Sequence, residues 1–205
     1  MFKQLKKEDE EFQMLLEVAE EYSKQKSGDT SRKKSGNATE IVIRNHLLKR
    51  EFNVTLNPNV KIQGSKRKND ILLLKPNVDS NKLTYAPNEV DTVLEIKNNA
   101  VGGPEDIPNK KVKDIFDELE RDTEVNRFAV VVLSETLLPP RKPYKWRYTE
   151  EGIGKKNCRV FTLVARKKYP KGGLYKKDAI MEMLEKEEMR RTEDWDQLLK
   201  YLQEK

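Results

Sequence analysis

Residues 127–133 constrain the fold of this chain more than any other segment, because every side chain after Arg127 is apolar and most are β-branched or aromatic. A strand of this kind is buried on both faces, which requires a sheet covered by helices on both sides. The chain has 205 residues, enough to bury such a core within one domain without disulfide or metal support.

Other segments supply the remaining elements of this sheet and its helices. Apolar residues at helical spacing predict helices at residues 8–26, 38–50 and 109–121, with two more within 177–205. Strand-like runs occur at residues 52–56, 70–75, 90–97, 127–133 and 159–165. We therefore predict a single α/β domain over residues 1–205, a mixed β-sheet flanked by helices. It divides into a helical arm and mobile link (1–35), a core (36–166) and C-terminal helices (174–205).

The C-terminal segment carries a stripe of large apolar side chains. Thr192 is a suitable N-cap for the last helix, and the stripe predicts packing on the core or on a partner subunit. Its members are Trp195, Leu198, Leu199 and Leu202.

Composition excludes several classes of protein. The chain has one cysteine, Cys158, and one histidine, His46, so it cannot form an internal disulfide or a usual Cys/His zinc site. A histidine nuclease or a Ser-His-Asp triad is poorly supported, because His46 is the sole histidine and lies off the helical stripe that carries Glu40. No apolar leader and no run of about 20 apolar residues is present, so we expect a soluble, cytoplasmic protein without membrane association. The net charge of +6 is compatible with a polyanionic partner.

Three charged residues are unusual because they lie in or beside strands that are otherwise mostly apolar. Asp70 opens an apolar strand, and Glu95 and Lys97 share one face of the next strand, so all three can converge at one edge of the sheet. Buried carboxylates need partners, and a hard divalent cation supplies one for both acids. The backbone carbonyl of Ile96 is a further oxygen ligand. Mg²⁺, for which Mn²⁺ can substitute, is the expected ion. Lys97 is expected either to orient the attacking water or to stabilise the transition state of phosphodiester cleavage.

Asp70, followed after 24 residues by Glu95-Ile96-Lys97, resembles the D…(D/E)xK signature of the PD-(D/E)XK nuclease superfamily. The segment Gly36-Asn-Ala-Thr-Glu40 is similar to the G…E of the helix before the sheet in these enzymes. The resemblance covers residues 36–133 and implies a restriction endonuclease-like fold, with Glu40 as an additional catalytic residue. Asn69 replaces the proline of the signature, but the carboxylate is the part that binds metal.

Each of these residues also has a structural interpretation. Glu40 can close a capping box with Asn37 at a helix N-terminus, although its stripe with Ile43 and Leu47 turns it toward the sheet. Asp70 can simply end a loop, and Glu95 with Lys97 can be a surface ion pair of little energetic value. Asp91, on the same predicted face as Glu95, is interpreted as a strand-entry residue.

Basic residues near the predicted site are candidates for DNA binding. Lys66, Arg67 and Lys68 enter the Asp70 strand and are expected to contact the phosphate backbone, whereas Lys111 and Lys113 on the following helix are weaker candidates. We predict an Mg²⁺-dependent endodeoxyribonuclease, restriction-type or a structure-specific resolvase, acting as a homodimer on double-stranded or branched DNA. The alternatives are a catalytically inactive nucleic-acid binding module on the same fold and a scaffold whose tail helices bind a partner protein.

Overall fold

The computed structural model of the chain describes residues 2–25, 31–100, 106–136, 148–167 and 176–204. Its helices are α1 (Glu10–Lys24), α2 (Ser31–Lys49), α3 (Asp106–Thr123), α4 (Glu150–Ile153), α5 (Lys177–Glu185) and α6 (Asp194–Gln203). Its strands are β1 (Lys3–Gln4), β2 (Lys61–Ile62), β3 (Ile71–Leu74), β4 (Thr84–Tyr85), β5 (Val90–Ala100), β6 (Phe128–Thr136), β7 (Cys158–Arg166) and β8 (Met189–Arg191).

Six of these strands form one mixed sheet in the order β1-β8-β7-β6-β5-β3. The central strands β5, β6 and β7 are parallel, and β3, β8 and β1 are each antiparallel to their neighbours. Strands β2 and β4 form a separate two-stranded parallel sheet. The architecture is therefore the predicted mixed sheet, with the continuous apolar run of β6 at its centre.

Helices cover both faces of this sheet. On one face α1, α2, α5 and α6 enclose a cluster that includes Phe12, Ile43 and Trp195. On the other face α3 and α4 enclose a second cluster, in which the Phe116 and Phe128 rings stack with centroids 4.5 Å apart. The two clusters explain why β6 is apolar at successive positions: its alternate side chains enter different cores.

Most of the predicted elements are confirmed, with some differences in their limits. Helix α2 begins at Ser31, seven residues before the predicted start at Ala38, so the predicted link was wrong from Ser31 onward. The part of that link at residues 27–30 lies outside the described residues. Residues 52–56 do not form a regular strand, because Val54 makes only an isolated antiparallel bridge with Leu73.

The terminal helices pack onto the domain rather than extending from it. Helix α1 buries Phe12 and Leu15 in the first core, so its interpretation as an arm was wrong. The α6 stripe packs there too, through buried Trp195 and Leu198. The prediction of Thr192 as the N-cap of α6 was wrong by one residue, because the N-cap is Glu193. The Thr192 hydroxyl still accepts a hydrogen bond from the Asp194 N–H at 3.2 Å. Strand β8 between α5 and α6 was not predicted.

A β-bulge at Asp91 changes which side chains at the start of β5 face the second core. Leu74 pairs with Val90 and Leu73 with Thr92, so Asp91 is the extra residue. Val90 consequently faces the second core, together with Val93, and the predicted strict alternation from Val90 onward was wrong at this position. Asp91 itself accepts a hydrogen bond from Arg127 at 2.7 Å, a structural role consistent with its interpretation as a strand-entry residue. Within the described ranges, none of the helices has the length and apolar character needed to span a bilayer.

Candidate active site

Asp70 immediately precedes β3, and Glu95 lies on β5, the antiparallel neighbour of β3. Ile71 pairs with Leu94. Asp70 precedes Ile71 and Glu95 follows Leu94, so these two acids come next to each other where the pairing of β3 begins. The Asp70 Oδ2 atom accepts a hydrogen bond from the Ile96 N–H at 2.8 Å, which fixes this carboxylate beside β5. The contact at Ile96 that the structure describes is therefore made through its N–H group, whereas the expected metal ligand is its carbonyl.

The Asp70 carboxylate is in an unfavourable electrostatic environment. Burial raises the pKa of Asp70 to about 7, and the nearby Glu95 and Glu40 carboxylates act in the same direction. The Ile96 N–H and the Lys97 ammonium oppose this shift only in part. Burial and the neighbouring acids therefore disfavour ionisation of Asp70, and a carboxyl perturbed in this way is a candidate for a functional role.

Lys97 forms an ion pair with Glu95 on the same face of β5. Burial lowers the pKa of Lys97, but the carboxylates of Glu95 and Asp70 and the phenol of Tyr148 outweigh it, so the net shift is upward. The side chains of Lys97 and Glu95 retain 27% and 14% exposure, so the pair is reachable from solvent. Lys97 therefore remains an ammonium near neutral pH and is suited to stabilise negative charge rather than to accept a proton.

Glu40 reaches the same region from α2. Its carboxylate lies 2.5 Å from Nη2 of Arg44, one helical turn away, and the same nitrogen donates a hydrogen bond to the Asp70 carbonyl oxygen at 3.1 Å. Burial raises the pKa of Glu40, Arg44 offsets this in part, and Glu95 adds to it. Because α2 begins at Ser31, Asn37 lies inside the helix, and the capping-box interpretation of Glu40 was wrong.

The donor set at this edge of the sheet fits a small divalent cation. Asp70 and Glu95 come next to each other where the β3–β5 pairing begins, and burial, with the neighbouring acids Glu95 and Glu40, raises the pKa of Asp70. Mg²⁺ usually takes one or two protein carboxylates and completes its shell with water and substrate oxygens. In the part of the chain that the structure describes, no three Asp, Glu, His or Cys side chains converge to hold a metal, so the fit rests on this pair.

The predicted DNA-binding residues differ in their surroundings. Arg67 is paired with Glu118 of α3, with Nε and Nη2 at 3.2 and 2.8 Å from the same carboxylate oxygen. Lys113 forms an ion pair with Asp117. The other predicted residues are exposed, and they are Lys66, Lys68 and Lys111.

Two residues of the site were missed by the sequence analysis. Arg44 follows Glu40 by four positions and lies on the same stripe, so the spacing of an ion pair along a helix was available as a signal. Tyr148 packs against the second core and contributes to the electrostatic environment of Lys97. It stands far from Lys97 along the chain, and nothing in its local sequence indicates this position.

The histidine and the cysteine of the chain have structural surroundings. His46 is buried between two acids, with ring nitrogens 2.8 Å from Glu10 and 3.0 Å from Glu17. Cys158 is a buried free thiol whose pKa is raised to about 12 by burial, which makes it unreactive.

The fold and site together define a mixed α/β domain with an acidic pair and a lysine at the edge of its sheet. Comparisons of the chain with protein-family models, with curated proteins and with solved structures found no match. Function must therefore be argued from the site itself.

Proposed function

We propose that the protein is a divalent-metal-dependent endonuclease that hydrolyses DNA phosphodiester bonds on a restriction endonuclease-like fold. The observation that carries the proposal is the adjacency of Asp70 and Glu95 on paired strands, with the Lys97 ammonium beside Glu95. The resemblance implies the order helix, three strands, helix, strand. The chain follows this order in part, because α2, α3 and the parallel strand β6 are in sequence and two strands of the large sheet, β3 and β5, lie between the helices.

Each residue of the site has a distinct task in this reaction. Asp70 and Glu95 would hold Mg²⁺ or Mn²⁺, with the Ile96 carbonyl as a further oxygen, and the ion would neutralise the scissile phosphate and acidify a water molecule. Lys97 keeps its proton and donates to an oxygen of the phosphate as negative charge develops there. The Ile96 N–H holds Asp70 in a fixed orientation, so that little reorganisation accompanies the reaction.

The DNA backbone is proposed to pass over the exposed lysines Lys66 and Lys68, which lie just before the Asp70 strand. Such contacts position the duplex without specifying its sequence. One chain offers one candidate site, whereas a double-strand break needs two, so we propose that the active form is a homodimer. Light scattering of the purified protein measures this directly.

The test is cleavage of supercoiled plasmid in the presence of Mg²⁺, with loss of activity after addition of EDTA. Asp70→Asn and Glu95→Gln should abolish cleavage while the far-UV circular dichroism spectrum is retained. Asp114→Asn, the same substitution at an exposed position on α3, is the matched control and should cleave normally. DNA binding by the wild-type protein without cleavage in either Mg²⁺ or Mn²⁺ would instead indicate a binding module.

A further inference from the structure

Arg44 is a buried cation at the candidate site. Its side chain is only 7% exposed, and its Nε atom is buried without a hydrogen-bond partner in the described residues. Its Nη2 atom joins the Glu40 carboxylate to the carbonyl of Asp70, and so links α2 to the start of β3. A guanidinium is costly to bury, so its position beside the acids needs an explanation beyond attachment of the helix.

The charges of the site account for this position. Glu40, Asp70 and Glu95 influence one another electrostatically, and Arg44 and Lys97 are each paired with one of them. Three carboxylates and two cations leave one negative charge when all are ionised. One divalent ion and one phosphodiester bring the sum to zero, whereas two divalent ions would leave an excess of two positive charges in a partly buried site.

We propose that the Arg44 guanidinium takes the place of a second metal ion, so that the site binds one divalent cation per chain. Glu40 is then the partner of Arg44 and a positioning residue, and it does not coordinate the metal. This inference rests on the proposed function, since it assumes that Asp70 and Glu95 hold a divalent ion.

The contacts of Glu40 support this division of roles. Its Oε1 atom is engaged by Arg44, and its carboxylate does not form a three-acid metal cluster with Asp70 and Glu95 among the described residues. Arg44 is planar and permanently charged, which suits it to bridge a carboxylate and a carbonyl in a fixed geometry. A bound metal ion would exchange with solvent, whereas this charge is always present.

The test is calorimetric titration with Mn²⁺ at pH 8 of four proteins that differ in the charge of the site. These are the wild type (−1), Glu40→Gln (0), Arg44→Met (−2) and the double variant Glu40→Gln/Arg44→Met (−1). We expect one ion per wild-type chain. A unit charge close to a divalent site changes affinity by about tenfold, so Glu40→Gln should bind about tenfold more weakly and Arg44→Met about tenfold more tightly. The double variant should return to wild-type affinity.

The double variant makes the experiment decisive. If Glu40 is a metal ligand, the double variant will bind well below wild-type affinity, because restoring the charge does not restore the lost ligand, and the inference fails. Equal affinities in all four proteins, or two ions per wild-type chain, would also overturn it. Removal of both partners of a buried ion pair is tolerated better than removal of one, so Glu40→Gln and the double variant still decide the question if Arg44→Met does not fold.

The failure of the proposed function has a different signature. Absence of Mn²⁺ binding by the wild-type protein, with circular dichroism confirming the fold, would refute the proposed metal site and this inference with it. Binding that is lost in Asp70→Asn but unaffected by charge at positions 40 and 44 would refute the inference alone.

Discussion

Asp70→Asn should stabilise the metal-free protein at alkaline pH, although it removes a proposed metal ligand. The pKa of Asp70 is raised from 3.8 to about 7. This shift makes ionisation of the carboxyl in the folded protein more costly than in the unfolded chain, by up to about 4 kcal/mol. Partial exposure of Asp70 to solvent reduces this value, and we expect on the order of 2 kcal/mol.

The sign of the stability change follows from the direction in which the pKa of Asp70 is shifted. A carboxyl with a raised pKa in the folded state contributes stability below its unfolded pKa and loses it as the pH rises through about 7. Asparagine keeps an oxygen that can accept the Ile96 N–H but carries no charge, so the variant avoids this loss. The free energy of unfolding of Asp70→Asn, relative to the wild type, should therefore increase by about 2 kcal/mol between pH 4 and pH 8.

The assay is urea denaturation in EDTA at a series of pH values, with circular dichroism as the measure of unfolding. Asp91→Asn is the control, because it removes a partner of Arg127 and should destabilise the protein by a similar amount at each pH. Addition of Mn²⁺ should raise the urea midpoint of the wild type and leave that of Asp70→Asn unchanged. A difference between Asp70→Asn and the wild type that does not vary with pH would refute this account of the site.

Three further predictions concern catalysis, DNA binding and stability. Lys97→Ala should reduce single-turnover cleavage by about 10²- to 10³-fold with little change in DNA affinity, and a wild-type rate would remove this residue from the mechanism. Replacement of Lys66 and Lys68 by alanine should weaken DNA binding and lower the slope of log K against log salt by about 0.9 for each lost phosphate contact. An unchanged slope would show that these lysines do not contact the DNA. Trp195→Ala should lower the free energy of unfolding by about 3 to 5 kcal/mol in urea titrations, because the indole is almost fully buried.

The sequence predicted elements whose signal is local. The apolar run of β6 and the helical spacing in α3 are such signals, and both elements form near the expected positions. β8 was missed because Met189–Arg191 is a three-residue strand whose formation depends on pairing with β7 and β1. The bulge at Asp91 was missed for a related reason, since a bulge is a property of two paired strands.

The site was predictable to the same extent. The sequence indicated that Asp70 and Glu95 could converge at one edge of the sheet, and the antiparallel pairing of β3 with β5 brings them next to each other. The role of Arg44 requires the position of α2 against the start of β3, and a single sequence carries no information on this packing. Glu40 was recognised as a candidate, but its partner was not.

The edge of the large sheet has a consequence for folding. Lys3 pairs with Arg191, and the Arg191 guanidinium donates to the buried Glu11 carboxylate at 2.7 Å, across 180 positions of the chain. Contacts between such distant residues raise the contact order, and loop-closure entropy must be overcome before they form. During synthesis, β7 therefore lacks β8, its neighbour on the side away from β6, until residue 191 has left the ribosome. We expect the pairing of β8 with β7 and β1 to be among the last steps of folding.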